Sequence, residues 1–319
     1  MTASTEDAFV TLVERHRNEL RLHCYRMLGS SHDSDDMLQE TMIRAWRAKD
    51  SVQDAANLRA WLYRIATNVC LDELGRRRVR RLPDEAGPSS TAMSVEPAAA
   101  DREAFIEPCP DAWFSGVSAD PAARYETREC VALAFIAALQ HLSATQRATL
   151  LLRDVVGLSA ADTAKALELG VEAANSALFR ARAAIETKLG GRDPSEFARP
   201  SAAIDALLAR YLRAWNDVDI DAFIALLHAE VKTTMPPLPM WIDGRDRNAA
   251  FYRPMFAAQR PGIFMACPTA ANGQPALAFY RANATDEPYY LRAIQLIGVR
   301  DCAVVAIDHF MLPELFGFF

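Results

Sequence analysis

DSDDMLQETMIRAW at residues 33–46 decides the fold of the first part of the chain, together with NLRAWLYRIATNVCLDELGRRR at 57–78. In both stretches apolar side chains recur at the three- and four-residue spacing of an amphipathic helix. We therefore expect one helix that starts with Asp33 as its N-cap and runs to about Lys49. We expect a second helix over 57–78, capped by Asn57.

Further helical patterns occur on both sides of these stretches. They cover residues 6–28, 131–139, 144–154, 160–167 and 171–188. Ser143 with Gln146, and Ser159 with Asp162, have the spacing of capping boxes, and Gly157 lies where a helix should end. The last two helices, joined by a short connection, predict a helix-turn-helix whose second helix enters the major groove of DNA.

The final part of the chain changes its period. Residues 201–231 predict one or two helices, and a period of two follows. The alternating runs are 263–267, 276–281, 289–297 and 301–309, and they predict antiparallel strands. Helices followed by a curved sheet indicate an α+β unit. The expected fold class is therefore multidomain, with two all-α domains followed by one α+β domain.

An acidic, proline-rich segment separates the two helical parts. Residues 83–126 hold 9 acidic and 2 basic side chains with six prolines, whereas residues 1–82 hold 12 acidic and 14 basic ones. We interpret this segment as a linker in which AFIEPCPDAWF at 104–114 docks on a neighbouring domain. With a second break at 190–194, the predicted domains are 1–82, the linker 83–126, 127–190 and 200–319.

Composition and motifs exclude several classes of protein. The net charge of −6 argues against a simple nucleic-acid binder, and the longest apolar run, 131–139, is too short for a membrane span. The N-terminus MTASTEDAF lacks the pattern of a secretory signal, and neither GxGxxG nor GxxxxGK[ST] occurs. The six cysteines have no zinc or redox spacing, so we expect reduced thiols, a cytoplasmic location, no metal and no cofactor.

The two helices quoted first resemble region 2 of the sigma factors of bacterial RNA polymerase, in the extracytoplasmic-function group. In that family the first helix docks on the clamp coiled coil of the polymerase. The resemblance assigns this role to Asp33, Asp36, Gln39, Glu40 and Arg44. The second helix lies where the minus-10 element melts, which implies DNA contacts from Trp61, Arg64, Asn68, Asp72, Arg76 and Arg77. The loop at 49–57 would hold an extruded base.

Two features of this region have alternative interpretations. The arginines at 76–78 fit either a solvated helix end or a contact with DNA phosphates. Trp46 and Trp61 fit either core packing or stacking on unpaired bases.

Residues 127–190 resemble region 4 of the same family, through LLRDVVGLSAADTAKAL at 151–167 and NSALFRARAAI at 175–185. The family pattern places Asn175, Ser176, Phe179, Arg180 and Arg182 against the minus-35 element, where Asn pairs with adenine and Arg with guanine or phosphate. A plain helical bundle with surface arginines is the alternative. The sequence departs from the pattern at Glu168, where a turn glycine is usual, and Glu172 adds negative charge near DNA. We therefore expect weak intrinsic DNA affinity.

AWNDVDIDAFIALLHAEV at 214–231 and MPPLPMWIDGRDR at 235–247 resemble the SnoaL-like branch of the cone-shaped NTF2-like fold. A cone encloses a pocket for a small ligand. The candidate lining residues are Tyr211, Trp215, Met235, Trp241, Tyr280, Arg292 and His309, and each of them could instead belong to the core. Asp243, Asp308 and His309 are the groups that could act as acid or base, but neighbours on a strand face opposite sides, so we expect no catalysis.

The whole chain resembles the subgroup of these sigma factors that carries a C-terminal SnoaL-like extension. The resemblance implies a non-enzymatic subunit that binds RNA polymerase core at its clamp and flap, recognises minus-35 and minus-10 promoter DNA and helps to open the duplex. It also implies a built-in regulator that contacts the linker, packs against the DNA-reading domains and responds to a small ligand or a regulatory protein. The acidic linker fits either mimicry of nucleic acid in a basic polymerase channel or simple solubility.

Two other functions are compatible with parts of the sequence. One is a ligand-responsive transcription factor that does not replace sigma, which would bind duplex DNA tightly without polymerase. The other is a cyclase or isomerase fused to a DNA-binding module, whose turnover would depend on Asp243 or His309.

Overall fold

The chain forms two compact units in a computed structural model. The structure describes residues 3–51, 57–85, 89, 104–114, 130–189, 201–259, 263–284 and 287–319. The first unit comprises Met1–Arg80 and Asp111–Arg192, and the second comprises Arg81–Pro110 and Asp193–Phe319. The predicted linker is thus divided between the units at Pro110, while the predicted break at 190–194 lies outside the described residues.

The first unit is helical, as predicted. Its helices are α1 (Ala3–Glu14), α2 (Arg17–Leu28), α3 (Ser31–Arg47), α4 (Leu58–Leu74), α5 (Leu133–Gln140), α6 (Ala144–Leu150), α7 (Ala160–Ala166) and α8 (Val171–Leu189). Short 3-10 turns occur at Lys49–Ser51 and Asp111–Phe114. No helix in the part of the chain that the structure describes is long and apolar enough to cross a membrane.

The start of the first unit differs from the prediction in two places. The single helix predicted over 6–28 is interrupted between Glu14 and Arg17, and these two side chains form an ion pair of 2.5 Å across the break. The N-cap of α3 is Ser30 rather than Asp33, because the Ser30 hydroxyl accepts the backbone N–H of Asp33 at 3.1 Å. Asp33 lies in the first turn, where its charge is favourable to the helix dipole.

Helix α4 is shorter than predicted at its basic end. It ends at Leu74 rather than at 78, and the backbone N–H of Gly75 donates to Leu71 O. A glycine followed by three arginines disfavours a further turn, because glycine loses the most backbone entropy and like charges repel. Asn57 makes no side-chain cap, although it occupies the predicted position.

The capping prediction for α6 is confirmed. The Ser143 hydroxyl accepts from the backbone N–H of Gln146, and the Gln146 side chain accepts from the backbone N–H of Ser143 at 3.0 Å. The helix then continues as a π turn over Leu151–Val155 and ends before Gly157, which has a φ of 80°.

The turn of the helix-turn-helix contains backbone strain. Glu168, where the family pattern has glycine, adopts a left-handed φ of 54°. A side chain in this region costs roughly 1–2 kcal/mol relative to the right-handed conformation. The departure from the family pattern therefore coincides with a strained position, between α7 and α8.

The two halves of the first unit are joined by the buried side chain of Arg147. This residue of α6 is 2% exposed, and its guanidinium donates to Met27 O at the end of α2 and to Gln140 Oε1 at 2.7 Å. Burial lowers the pKa of Arg147 to about 10, so the side chain stays charged at neutral pH. A second link runs from Arg59 on α4 to Val156 O, at 3.1 Å.

The second unit is an α+β fold. Its helices are α9 (Ala202–Asn216), α10 (Ile220–Ile224) and α11 (Arg245–Ala257). Its strands are β1 (Leu227–Thr234), β2 (Trp241–Asp243), β3 (Phe264–Ala271), β4 (Gln274–Arg281), β5 (Tyr290–Arg300) and β6 (Ala303–Phe310), followed by a 3-10 turn at Pro313–Phe318. They form one sheet in the order β2-β1-β6-β5-β4-β3.

The strand predictions were correct for β3 to β6 and wrong for β1. The sequence pattern predicts helix up to residue 231, but β1 already begins at Leu227. The sheet is also not purely antiparallel, because β1 pairs with β6 in parallel. Strand β1 alternates weakly in burial, and the short connection before it hides the change of period. Helix α11 and strand β2 were not predicted.

An aromatic core fixes the helices of this unit against its sheet. Trp215 contacts Phe256 and Phe279, with ring centroids 4.7 and 4.8 Å apart, and Phe223 contacts Tyr252 at 4.8 Å. All five side chains are at most 5% exposed. Such ring pairs add about 0.5–1.5 kcal/mol each beyond their buried area, so this core is a rigid frame for what it encloses.

Part of the predicted linker belongs to the second unit. The β3–β4 turn holds it, because Asn272 Oδ1 accepts the backbone N–H of Cys109 and the backbone N–H of Asn272 donates to Cys109 O, both at 2.9 Å. Asp84 pairs with Lys232 of β1 at 2.7 Å. The next linker residues, from Asp111, join the first unit, where Trp113 lies edge-on to Tyr25 with ring centroids 6.3 Å apart. The predicted docking of 104–114 therefore occurs in two parts.

Candidate nucleic-acid and ligand sites

A polar groove of ≈ 390 Å³ lies between α3 and α4. It brings together Asp36, Gln39, Glu40 and Arg44 from the predicted polymerase-binding set and Asp72 and Arg76 from the predicted minus-10 set. Arg44 joins the two sets, since its guanidinium donates to Glu40 Oε1 at 2.7 Å and to Asp72 Oδ2 at 3.1 Å. The two predicted functions therefore share one surface.

Asp33 is not part of that surface. Its side chain is 8% exposed, and its carboxylate oxygens accept from Arg77 at 2.6 Å and Arg80 at 2.9 Å. Arg80 is itself 6% exposed. The prediction that Asp33 docks on polymerase disagrees with this geometry, because a buried, doubly paired carboxylate is not available to a partner. Asp33 instead anchors the chain that follows α4.

The remaining minus-10 residues have mixed environments. Trp61, Arg64 and Asn68 are half-buried on α4, and Arg76 is exposed. Arg77 forms ion pairs with Asp33 and Glu73, so it is held against the protein rather than free for phosphate. Most of the loop predicted to hold an extruded base, residues 52–56, lies outside the described residues.

The side chain of Trp46 lies at an apolar groove between α1 and α3. The groove measures ≈ 580 Å³, and Trp46 is 39% exposed. Its ring lies 6.2 Å from that of Phe9, and the Lys49 ammonium lies 4.0 Å from its centroid. Trp46 is therefore only partly packed, which leaves part of the indole side chain accessible.

Helix α8 presents all five predicted minus-35 residues to solvent. Asn175, Ser176, Phe179, Arg180 and Arg182 are exposed, whereas Ala174, Ala177, Leu178 and Ala181 are buried against the rest of the helical unit. Phe179 is 75% exposed, an unusual position for a large apolar side chain. Arg182 makes a two-pronged ion pair with Asp154, at 2.9 and 2.7 Å, which orients its guanidinium.

A cavity of ≈ 180 Å³ lies inside the second unit. Four of the predicted pocket residues line it: Trp215, Met235, Arg292 and His309. The predictions for Tyr211, Trp241 and Tyr280 were wrong. Tyr211 is fully buried in the core, Trp241 lies under the Lys232 ammonium, and Tyr280 is not among the residues that line the cavity.

Two polar side chains that no sequence pattern singled out belong to this region: Gln259 in the cavity wall and the buried Gln295 beside His309. Gln295 accepts from the Tyr211 hydroxyl at 2.7 Å and lies 3.2 Å from His309 Nδ1, and Gln259 lines the wall. Burial lowers the pKa of His309 to about 4, so the imidazole is neutral at physiological pH. No sequence motif identifies these glutamines. The linker-binding Asn272, in contrast, begins an Asn-Gly pair typical of a tight hairpin turn.

Asp308 and His309 face different surroundings, as predicted. The Asp308 carboxylate accepts from the Thr234 hydroxyl at 2.7 Å, away from the residues that line the cavity. Asp243 is exposed at the end of β2 and does not line the cavity either. No cluster of three or more metal-ligating side chains occurs among the described residues. None of the described residues that line the cavity brings a carboxylate to His309.

Comparison with known proteins places the chain in a family. It matches Sigma-70 region 2 over residues 12–80, Sigma-70, region 4 over 132–185, and the SnoaL-like domain over 208–307. The ECF RNA polymerase sigma factor SigG of Mycobacterium tuberculosis is 40% identical over 308 residues, covering 96% of this chain and 83% of SigG. The chain belongs to the extracytoplasmic-function sigma factors.

A second relative supports the same arrangement of domains. The sigma factor SigJ of M. tuberculosis is 27% identical over 325 residues, covering 96% of this sigma factor and 93% of SigJ. The crystal structure of SigJ matches it with a TM-score of 0.63 at 23% identity, over 97% of this chain and 98% of that one. The expected fold is therefore confirmed. As a sigma factor the protein is a transcription regulator, and its SnoaL-like domain is a fused extension.

The pH dependence of this sigma factor should depend on Asp308. Burial raises the pKa of its carboxyl group to about 7. The hydrogen bond from the Thr234 hydroxyl lowers this pKa, the charge of Asp84 raises it and the charge of Lys232 lowers it. The native state thus keeps a proton that the unfolded chain loses near pH 4. A rise from pH 4.5 to 7.5 should therefore remove about 2–4 kcal/mol of stability from the wild type relative to Asp308→Asn.

Urea unfolding of both proteins across this pH range measures the effect. His309 titrates in both proteins, so its contribution cancels from the difference. A difference in unfolding free energy that stays constant with pH would show that Asp308 does not hold the proton.

Proposed function

We propose that this sigma factor binds RNA polymerase core in the cytoplasm and directs transcription initiation from promoters that carry minus-35 and minus-10 elements. The observation that carries the proposal is the exposed face of α8, where Asn175, Phe179 and Arg180 stand free above a packed alanine-rich face. Asn and Arg are the side chains suited to adenine and guanine edges in the major groove. Asp36, Gln39, Glu40 and Arg44 would contact the clamp, and region 4 the flap.

The first unit must open for this function. Its regions 2 and 4 are in contact through Arg147 and Arg59. The two promoter elements lie about 25 base pairs apart, or roughly 85 Å at about 3.4 Å per pair. A compact unit in which regions 2 and 4 are held in contact does not span this distance, so we expect polymerase to separate regions 2 and 4.

We further propose that the SnoaL-like extension modulates this opening through the linker. Arg81–Pro110 belongs to the second unit and Asp111 onward to the first. Cys109 is hydrogen-bonded to Asn272 and lies four residues before Trp113, which packs on Tyr25 of α2. A change in the position of Cys109 would therefore alter the contact between Trp113 and α2. The proposed role of the acidic linker in a polymerase channel concerns mainly residues outside the described part and stays a prediction, as does any contact of the extension with the DNA-reading domains.

Run-off transcription with purified polymerase core on promoters drawn from a genomic library tests the proposal. The full-length protein should initiate only with core, and Arg180→Ala should reduce initiation by about tenfold or more, since one base contact contributes about 1–3 kcal/mol. Arg210→Ala, an exposed arginine on α9, is the matched control.

The same assay tests the regulatory part. Asn272→Ala removes the side-chain acceptor of the Cys109 N–H and leaves only the backbone hydrogen bond to the linker, and it should change the level of initiation. Equal initiation by wild type and Asn272→Ala would contradict modulation through the linker. Absence of core-dependent initiation, with tight binding to duplex DNA alone, would favour a transcription factor that does not replace sigma.

A further inference from the structure

The cavity of the second unit has the size and walls for a single aromatic ring. Its volume is ≈ 180 Å³, and a cavity of about 150 Å³ is known to admit benzene. Met255, Phe264, Phe279, Met311 and Phe316 form much of the wall. Aromatic rings and thioethers both make favourable contacts with a bound ring.

One donor in this cavity is fixed by a hydrogen-bond relay. The Tyr211 hydroxyl donates to Gln295 Oε1, which leaves the Gln295 amide nitrogen directed at His309 Nδ1 at 3.2 Å. Nδ1 must accept, so the proton of the neutral imidazole lies on Nε2. No described residue bonds to Nε2, and His309 lines the cavity, so the relay presents an N–H donor to whatever enters.

Two further polar groups complete the site. Gln259 Oε1 is buried with no hydrogen-bond partner among the described residues, an unfavourable arrangement unless a bound molecule supplies a donor. Arg292 lines the same cavity, is exposed and forms no ion pair within the described chain, although it lies near the ring of Tyr290. The cavity thus offers an N–H donor, a free acceptor and a free cation.

We propose that this cavity binds a small hydroxylated aromatic carboxylic acid. Its ring fills the apolar walls, and its carboxylate pairs with the Arg292 guanidinium and accepts from His309 Nε2–H. Its hydroxyl donates to Gln259 Oε1. A neutral hydrocarbon would leave these groups unsatisfied, and an amine would be repelled by Arg292.

Strand β3 runs from the cavity to the turn that binds the linker. Phe264 lines the cavity at the start of β3, and the same strand ends at Ala271, next to the Asn272 that clasps Cys109. A ligand that shifts β3 when it binds would therefore change the hydrogen bonds between Asn272 and Cys109 of the linker. This consequence rests on the proposed regulatory function, whereas binding itself does not.

Calorimetric titration of the full-length protein with 4-hydroxyphenylacetate tests the site. We expect saturable one-to-one binding, weaker binding of phenylacetate, and none of tyramine, which replaces the carboxylate with an ammonium. His309→Phe and Arg292→Gln should each weaken binding by about tenfold or more, while Arg213→Gln, an exposed arginine of α9, should have no effect.

A second variant separates the hydroxyl contact from folding effects. In Gln259→Leu the preference for 4-hydroxyphenylacetate over phenylacetate should disappear while phenylacetate still binds. Equal binding of tyramine, no binding by the wild type, or affinities unchanged in His309→Phe and Arg292→Gln would overturn the proposal. If core-dependent initiation persists without binding, only the ligand site fails; if binding occurs without core-dependent initiation, only the sigma function fails.

Discussion

Arg147→Met is expected to lower the free energy of unfolding of the first unit by about 3–5 kcal/mol. The guanidinium is 2% exposed and donates to Met27 O, to both the side chain and the backbone O of Gln140, and to Leu142 O. Methionine fills a similar volume but leaves these oxygens without a donor in a place that water does not reach. The loss should be concentrated where α2, α5 and α6 meet, because Met27 lies at the end of α2, Gln140 at the end of α5 and Arg147 on α6.

Hydrogen exchange measured by mass spectrometry on the full-length protein gives the regional readout. Protection should fall in peptides that cover 17–28 and 144–155, with little change in 290–310 of the second unit. Arg180→Met, an exposed arginine of the same region, is the control and should exchange like the wild type. Unchanged protection in Arg147→Met would mean that regions 2 and 4 do not depend on this side chain for their contact.

Asp33→Ala should destabilise the first unit by a similar amount, about 3–5 kcal/mol, because it removes one partner from a buried charge network. Arg80, at 6% side-chain exposure, would lose its ion pair of 2.9 Å with Asp33, and Arg77 its bond of 2.6 Å. We expect the segment after α4 to detach before the rest of region 2 unfolds. Urea unfolding followed by tryptophan fluorescence measures the change.

Asp36→Ala is the matched control, three residues further along the same helix. Asp36 is exposed, forms no ion pair within the described chain, and lines the polar groove of α3 and α4. Its removal should leave stability within about 0.5 kcal/mol and weaken binding to polymerase core. Asp33→Ala with wild-type stability and weakened core binding would restore the original assignment of Asp33 to the docking surface.

The contrast between these two residues explains why the family pattern assigned both of them to the docking surface, although the structure places Asp33 in a buried ion-pair network. Within DSDDMLQE, Asp33 and Asp36 have the same chemistry and the same three-residue spacing, so both read as docking residues. Burial separates them, because the chain after α4 returns to α3 and brings Arg77 and Arg80 onto Asp33. A contact over 44 and 47 residues of sequence has no local signature.

The sequence by itself determined the helices of both sigma regions, the capping of α6, the exposed face of α8 and four of the six strands. These features follow from periodicity and local hydrogen bonds, which depend only on neighbouring residues. The two long motifs together also determined the family, because they place several residues at fixed spacings at once.

Only the tertiary structure decided which residues of the candidate sites are free. It divided the linker between two units, placed Arg147 between regions 2 and 4, and moved Tyr211 from the cavity wall into the core. It also brought together His309 with Gln259, which follows α11, and with Gln295 of β5. The physical reason is that burial and pairing depend on contacts between residues far apart in sequence, and no pattern of neighbouring residues encodes them.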